Sequence, residues 1–107
     1  MTKSHVVVIG DACVDIVIRL PDRKSNMPDL KNSAPQLQSG GTAANVAVTL
    51  ARLDVDVKIV GTVGDDGYGR WVQDDLSREG VDVKGICSVR DAFTPMVWLL
   101  LILMESD

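Results

Sequence analysis

Apolar and polar residues follow one another along the chain in blocks that predict an α/β fold. Residues 5–10 form a short β-branched run ending in glycine, typical of a strand buried on both faces of a mostly parallel sheet. We expect this strand to be the first central strand. Residues 14–20 are also rich in branched side chains but contain Asp15 and Arg19, so they predict a second, more exposed strand that ends at Pro21.

A polar segment separates these strands from the first helix. Residues 22–35 contain Pro28 and Pro35 and show no periodicity, so they predict a long surface loop. Residues 36–39 predict a strand that returns antiparallel to residues 14–20. Residues 42–53 then have the period of an amphipathic helix. The apolar side chains on one side of this helix are Ala43, Val46, Ala47, Leu50 and Leu53.

The second half of the chain repeats strand and helix. Residues 55–63 are apolar and β-branched, and a turn at residues 64–67 leads into a second amphipathic helix at residues 68–79, which Gly80 ends. Residues 81–89 predict a further strand. This order predicts an α/β protein with a central, mostly parallel sheet flanked by helices. We expect a small β lid to project from it, built from strands at approximately residues 14–21, 35–40 and 95–104.

Composition limits the kind of partner. The chain has 107 residues, of which 46% are hydrophobic and 24% charged, as expected of one globular domain at most. Its 11 basic and 15 acidic residues give a net charge of −4 without a basic stripe, which argues against a nucleic-acid partner. Small neutral or anionic ligands remain as candidates.

The two cysteines, Cys13 and Cys87, are too few for a disulfide framework and lack metal-site spacing, which favours a reduced, cytoplasmic setting and no metal site. We expect no signal peptide, because Asp11 and Asp15 interrupt the first apolar run. Residues 96–104 are nine consecutive apolar residues, about half of what a spanning helix requires, so we expect no membrane partner.

The strongest candidate site is the loop at Gly40 and Gly41. Glycines allow unusual backbone angles and close approach of a ligand to the main chain. We expect Thr42 to cap the helix that follows, and the helix start to present unpaired N–H groups and a positive dipole end to a ligand. Asn45 lies in the first turn, where its amide can both donate to and accept from a hydroxyl.

These residues resemble the first signature of the ribokinase-like (PfkB) carbohydrate kinases. The matching positions are Gly40, Gly41, Asn45, Ala47 and Gly64. The turn formed by Gly64, Asp65, Asp66 and Gly69 is similar to the GDD-x-x-G turn of the family, and the stretch VVVIGDACVD resembles its opening strand. The resemblance covers essentially the whole chain but only about the first third of a family member.

One departure from the family pattern concerns the end of the first helix. Asp54 stands where the family usually has Gly or Ser, which affects the turn and not the sugar. A second departure concerns the site. Cys13 stands where several relatives carry a polar substrate contact, often asparagine, so either one sugar contact is absent or the substrate differs.

The resemblance implies that Asp15, Gly40, Gly41 and Asn45 bind a sugar, with the Asp15 carboxylate accepting hydrogen bonds from two adjacent hydroxyls. The Asp65–Asp66 pair can also be interpreted as a metal site or an acid/base dyad. We favour turn formation and capping of the second helix. His5 has no acidic or nucleophilic partner nearby in sequence, so we expect a structural role.

The resemblance implies the N-terminal, substrate-binding part of an enzyme that transfers the γ-phosphoryl group of ATP to a sugar hydroxyl, with Mg²⁺ and often a monovalent cation. The family's general base lies in a C-terminal GAGD motif, which these 107 residues lack. Neither a GxGxxG nor a P-loop motif is present. We therefore expect the ATP-binding part and the catalytic residues to be missing, and the chain alone to be inactive.

Two other hypotheses belong to different classes. The chain could be a self-contained, non-catalytic module that binds a sugar or forms a homodimer through its lid. It could also be a membrane-associated peptide that uses residues 96–104, which we consider the weakest hypothesis. A GAGD motif encoded beyond residue 107 would distinguish the kinase from the module.

Overall fold

The computed structural model describes residues 5–20 and 34–102, which form six strands and two helices. In chain order they are β1 (His5–Ile9), β2 (Cys13–Leu20), β3 (Gln36–Gly40), α1 (Thr42–Arg52), β4 (Asp56–Gly64), α2 (Gly67–Arg78), β5 (Asp82–Val89) and β6 (Met96–Ile102). The surface loop predicted for residues 22–35 falls almost wholly outside the described residues, as do residues 103–104 of the last predicted strand.

The strands form two sheets, and the predicted α/β class is confirmed. A parallel sheet has the order β1-β4-β5, and a second, smaller sheet has the order β3-β2-β6. In the smaller sheet β2 pairs antiparallel with β3 and parallel with β6, so the predicted return of residues 36–39 against β2 is confirmed. Below, β3-β2-β6 is called the small sheet.

The predicted central position of β1 is wrong for the described sheet. β4 lies in the centre and β1 at the edge. Alternate side chains of β1 are exposed, with Val7 at 57% and Ile9 at 77%. Both helices contact β4, and their buried side chains join the apolar face of the sheet in a single core, so burial on both faces of β1 is not found.

The core joins both sheets to both helices. Its members come from the apolar faces of β2 and β4, from the small residues of α1 and from the inner side of α2, and include Val14, Ile16, Ala43, Ala44, Ala47, Ile59, Val63, Val72 and Leu76. Within the set predicted for α1, Ala43 and Ala47 are buried, but Val46 is 44% and Leu53 70% exposed. The buried stripe of α1 is centred nearer to Ala44 than the periodicity indicated.

Candidate functional site

The candidate residues lie where the small sheet meets the carboxyl end of β1 and the start of α1. Gly10 ends β1 with a hydrogen bond from its N–H to the Val60 carbonyl at 3.0 Å, and the chain then turns through Asp11 into β2. In α/β folds, the carboxyl ends of parallel strands are the usual place for ligands. The predicted loop at Gly40 and Gly41 is brought to the same place by β3.

Asp15 and Gly40 are in contact. Antiparallel pairing places Cys13 opposite Gly40 and Asp15 opposite Gln38. The Asp15 carboxyl group leans over Gly40, where a Cβ atom would stand only 2.5 Å from Asp15 Cγ. The position therefore requires glycine for packing, because any side chain would displace the carboxylate. This contact joins two of the four predicted site residues.

Cys13 adjoins the same carboxylate. Its Sγ donates a hydrogen bond to Asp15 Oδ1 at 3.5 Å, and the residue is 8% exposed. Burial, followed by the negative charge of Asp15, raises the pKa of the Cys13 thiol to about 11. The thiol is therefore protonated at neutral pH and acts as a donor.

The start of α1 differs from the prediction. Gly41, at φ 94°, is the N-cap, and no side chain of the cap residue closes the helix, so the predicted capping by Thr42 is wrong. Asp11 supplies the acceptors instead: its Oδ1 accepts from the Ala43 N–H at 3.4 Å and its carbonyl from the Ala44 N–H at 3.3 Å. These N–H groups are therefore not available to a ligand, contrary to expectation.

Gly41 also packs tightly against the turn after β1. A Cβ atom there would stand 2.7 Å from the Asp11 carbonyl oxygen, and its φ is in the left-handed region that favours glycine. Asp11 is the site neighbour that sequence reasoning missed. Its signal was its position in the turn that follows β1 and Gly10, where an acidic residue can meet a helix start.

Asn45 lines a groove that Asp15 does not line. It is exposed on α1, its N–H donates to the Gly41 carbonyl at 2.9 Å, and its carbonyl accepts from Thr49 Oγ1 at 2.9 Å. Its side-chain amide makes no hydrogen bond to Asp15 or to any other residue in the described ranges. The groove has a volume of about 550 Å³. Gln38, the cross-strand partner of Asp15, lines the same groove.

The predicted cap of α2 is confirmed, and it extends further than expected. Asp66 Oδ1 accepts from the Gly69 N–H and from Thr94 Oγ1, both at 2.7 Å, and Oδ2 accepts from the Thr94 N–H at 2.9 Å. The Thr94 hydroxyl oxygen accepts in turn from the Gly64 N–H at 3.0 Å. Hydrogen bonding from the Thr94 hydroxyl is the main reason that the pKa of Asp66 is lowered.

Metal binding by the acidic pair has no support in this geometry. Asp66 already accepts three hydrogen bonds, and Asp65 lies 3.8 Å from Arg70 across a solvent-exposed ion pair. In the described ranges no group of three or more His, Cys, Asp or Glu residues could hold a metal ion. His5 pairs with Asp56 at 3.7 Å between Nδ1 and Oδ2 at the solvent-exposed start of β1.

Hydrophobic surface is concentrated on β6. Its exposed residues are Met96, Val97, Trp98, Leu99, Leu100 and Leu101, with Trp98 at 59% and Leu100 at 60%. Neither helix in the described part of the chain is long and apolar enough to cross a membrane.

Comparison with known proteins gives one consistent family. The model of the pfkB family of carbohydrate kinases matches residues 3–101. The chain is 38% identical over 97 residues to the ATP-dependent ribose-1-phosphate kinase of Halopiger xanaduensis, covering 90% of the chain and 32% of that protein. It is 42% identical over 82 residues to a fructokinase of Klebsiella pneumoniae, covering 77% of the chain and 23% of that protein.

Solved structures show the same relation. The fructokinase with bound ATP from Xylella fastidiosa superposes with a TM-score of 0.76 and 32% identity, over 92% of this chain and 30% of that one. The aminoimidazole riboside kinase from Salmonella enterica, complexed with aminoimidazole riboside and an ATP analog, gives 0.69 and 33%, over 89% and 28%. The chain thus spans about a third or less of the length of these relatives.

Proposed function

Because the chain belongs to the pfkB family of carbohydrate kinases, we propose that it is the substrate-binding part of an enzyme that phosphorylates a hydroxyl group of a sugar or nucleoside. Its own contribution is to bind and orient the acceptor. Phosphoryl transfer depends mainly on positioning and on charge stabilisation, so a part that only holds the sugar still carries part of the catalytic work.

The contact between Asp15 and Gly40 is the observation that supports this proposal most strongly. The Asp15 carboxylate fills the space that a side chain at position 40 would take, so glycine there allows the carboxylate to stand directly beside the backbone at the start of α1. Its oxygens can accept hydrogen bonds from two neighbouring hydroxyls of a sugar. Asn45 and Gly41 complete the proposed binding set, with Asn45 approaching from the groove beside Gln38.

ATP and Mg²⁺, with a monovalent cation where one is used, bind in this proposal outside the described residues. The Asp65–Asp66 pair does not fit a magnesium site, because its oxygens are already engaged by Thr94, Gly69 and Arg70. No residue of this chain is assigned as the general base. The two free cysteines, Cys13 and Cys87, fit a reducing, cytoplasmic compartment.

The proposal predicts a difference between the 107-residue chain and the product of the complete reading frame that contains it. The complete product should release ADP from ATP when D-ribose, D-fructose or one of their monophosphates is added. The chain alone should show no sugar-dependent release, because it lacks the expected base. A coupled ADP assay on both proteins measures this.

Two results would contradict the proposal. A complete product without a GAGD motif and without sugar-dependent turnover would remove the kinase assignment. Sugar-stimulated ADP release by the 107-residue chain, abolished in Asp15→Ala, would mean that a carboxylate within the chain supplies the base.

A second candidate function is a non-catalytic module that binds a sugar or forms a homodimer through the small sheet. The exposed apolar side chains of β6 favour it, because such a surface attracts another apolar surface in water. The ADP assay on the product of the complete reading frame distinguishes the two functions, because a non-catalytic module binds the sugar without releasing ADP.

A further inference from the structure

We propose that Cys13 is a positioning residue for the Asp15 carboxylate: its thiol holds Oδ1 by a hydrogen bond and so fixes the orientation in which the carboxylate meets the acceptor. This inference rests on the proposed function and deepens it. It assigns a role to a residue that the family resemblance left unexplained.

The geometry of β2 brings the two side chains together. Side chains two residues apart in a strand point to the same face, so Cys13 and Asp15 are neighbours. Sγ lies 3.5 Å from Oδ1, which is ordinary for a bond to sulfur. Gly40 packs against the carboxylate from the opposite strand, where a Cβ atom would stand only 2.5 Å from Asp15 Cγ. The carboxylate is therefore held from two sides.

The Cys13 thiol is in the chemical state that this role requires. Burial of Cys13, which is 8% exposed, raises its pKa to about 11, and the negative charges of Asp15 and Asp11 add to this effect. A thiolate beside the carboxylate would repel it, whereas a protonated thiol donates to it. The raised pKa keeps the donor in place across the whole physiological range.

The thiol leaves recognition of the substrate to Asp15. A thiol is a weak hydrogen-bond partner for a hydroxyl, so Cys13 is poorly suited to read a sugar hydroxyl itself. Because the thiol is a weak donor, it reduces the ability of the Asp15 carboxylate to accept further hydrogen bonds less than a strong donor would. Oδ2 accepts no hydrogen bond from the described residues, so it remains for the sugar. Asp15 then binds the hydroxyls of the acceptor sugar, and Cys13 contributes by orienting Asp15.

The kinetic test uses the product of the complete reading frame. In Cys13→Ala, the sugar KM should rise about threefold to tenfold, as expected for loss of one hydrogen bond, with kcat within about twofold. Cys13→Ser keeps a hydrogen-bond donor of similar size, so its sugar KM should lie close to that of the unaltered protein. Cys87→Ser removes the exposed cysteine of β5 and should change neither value.

A role in packing alone predicts a different pattern. Cys13→Ala and Cys13→Ser would then change KM to the same extent, or neither would change it, and either result would overturn the positioning role. Denaturation midpoints of both variants separate a loss of stability from a loss of sugar affinity.

A second measurement needs no sugar. In the 107-residue chain carrying Cys87→Ser, alkylation of Cys13 by iodoacetamide should be slow at pH 8. Adding Asp15→Asn removes the negative charge and should lower the thiol pKa, so the alkylation rate should rise severalfold. An unchanged rate would overturn the contact between the two side chains. Absence of turnover with every sugar would instead overturn the proposed function, so the two failures are distinguishable.

Discussion

Asp54 occupies a backbone conformation that costs stability. Its φ is 61°, in the left-handed region just after α1, and its N–H donates to the Ala51 carbonyl at 3.0 Å. Aspartate tolerates this region better than most residues, but glycine adopts it without steric cost. This position is the departure from the family pattern noted in the sequence.

We expect Asp54→Gly to raise the free energy of unfolding by about 0.5 to 1 kcal/mol, because it relieves the left-handed strain. Asp54→Ala is the matched control and should lower it, since a Cβ without a local hydrogen bond gains nothing there. Urea denaturation at pH 7 measures both. A lower midpoint for the glycine variant would contradict the interpretation.

Asp66 should make stability depend on pH. Its pKa is lowered in the folded chain, chiefly by the Thr94 hydroxyl. Its contribution is therefore complete above the unfolded pKa of about 3.9 and is lost as pH falls through the lower folded value. Asp66→Asn should lower the unfolding free energy by about 1 to 2 kcal/mol at pH 7, and this difference should shrink near pH 3.

The matched control for Asp66 is Asp65→Asn, which removes an exposed carboxylate that lies 3.8 Å from Arg70. It should change stability little at either pH. A pH-independent difference between wild type and Asp66→Asn would contradict the charge-assisted bonds assigned to Asp66.

The contacts of a residue were predictable where its partners lie nearby in sequence and were not predictable where the partners are distant. Asp66 was predicted as a cap because Gly69 is only three residues away. Its second partner, Thr94, lies 28 positions on and had no local signal. The cap of α1 failed for the same reason, since Asp11 reaches Ala43 across 32 positions of chain.

At the level of elements, β6 is the strand with the most exposed apolar side chains among residues 5–20 and 34–102. It pairs with β2 on one side, and its residues 96–101 are exposed although all are apolar. Exposed apolar strands at a sheet edge recruit other chains. We expect the 107-residue chain to self-associate at tens of micromolar, through the small sheet or as aggregates.

Leu100→Lys should reduce this association, because it places a charge on a side chain that is 60% exposed on β6. Val89→Lys, at a 40% exposed position of β5 outside the small sheet, is the control and should have little effect. Sedimentation velocity measures both. A stable monomer of the unaltered chain at this concentration would contradict the prediction.

The kinds of elements were predictable because each has its own period of apolar residues, and each predicted helix and strand within the described residues is present. Strand order was not, since pairing is decided between residues far apart. The local pattern of β1 indicated burial on both faces, yet β1 lies at the sheet edge with Ile9 77% exposed.

At the scale of the whole molecule, the two sheets have different roles. The parallel sheet and its helices supply most of the core, and the small sheet carries Asp15 to the start of α1, where its carboxylate packs against Gly40. The family and the fold were predictable from the glycine and asparagine spacing. The contact between Asp15 and Gly40 was not, because it depends on the register of β2 against β3.

The most direct test of the account is the sugar KM of Asp15→Asn in the product of the complete reading frame. Asparagine keeps the shape that packs on Gly40 but loses the charge, so it should weaken bonds from sugar hydroxyls and leave the fold intact. We predict a KM raised at least about tenfold, corresponding to the loss of a hydrogen bond to a charged group. An unchanged KM and kcat for the sugar would contradict the assignment of Asp15, and with it the proposed site.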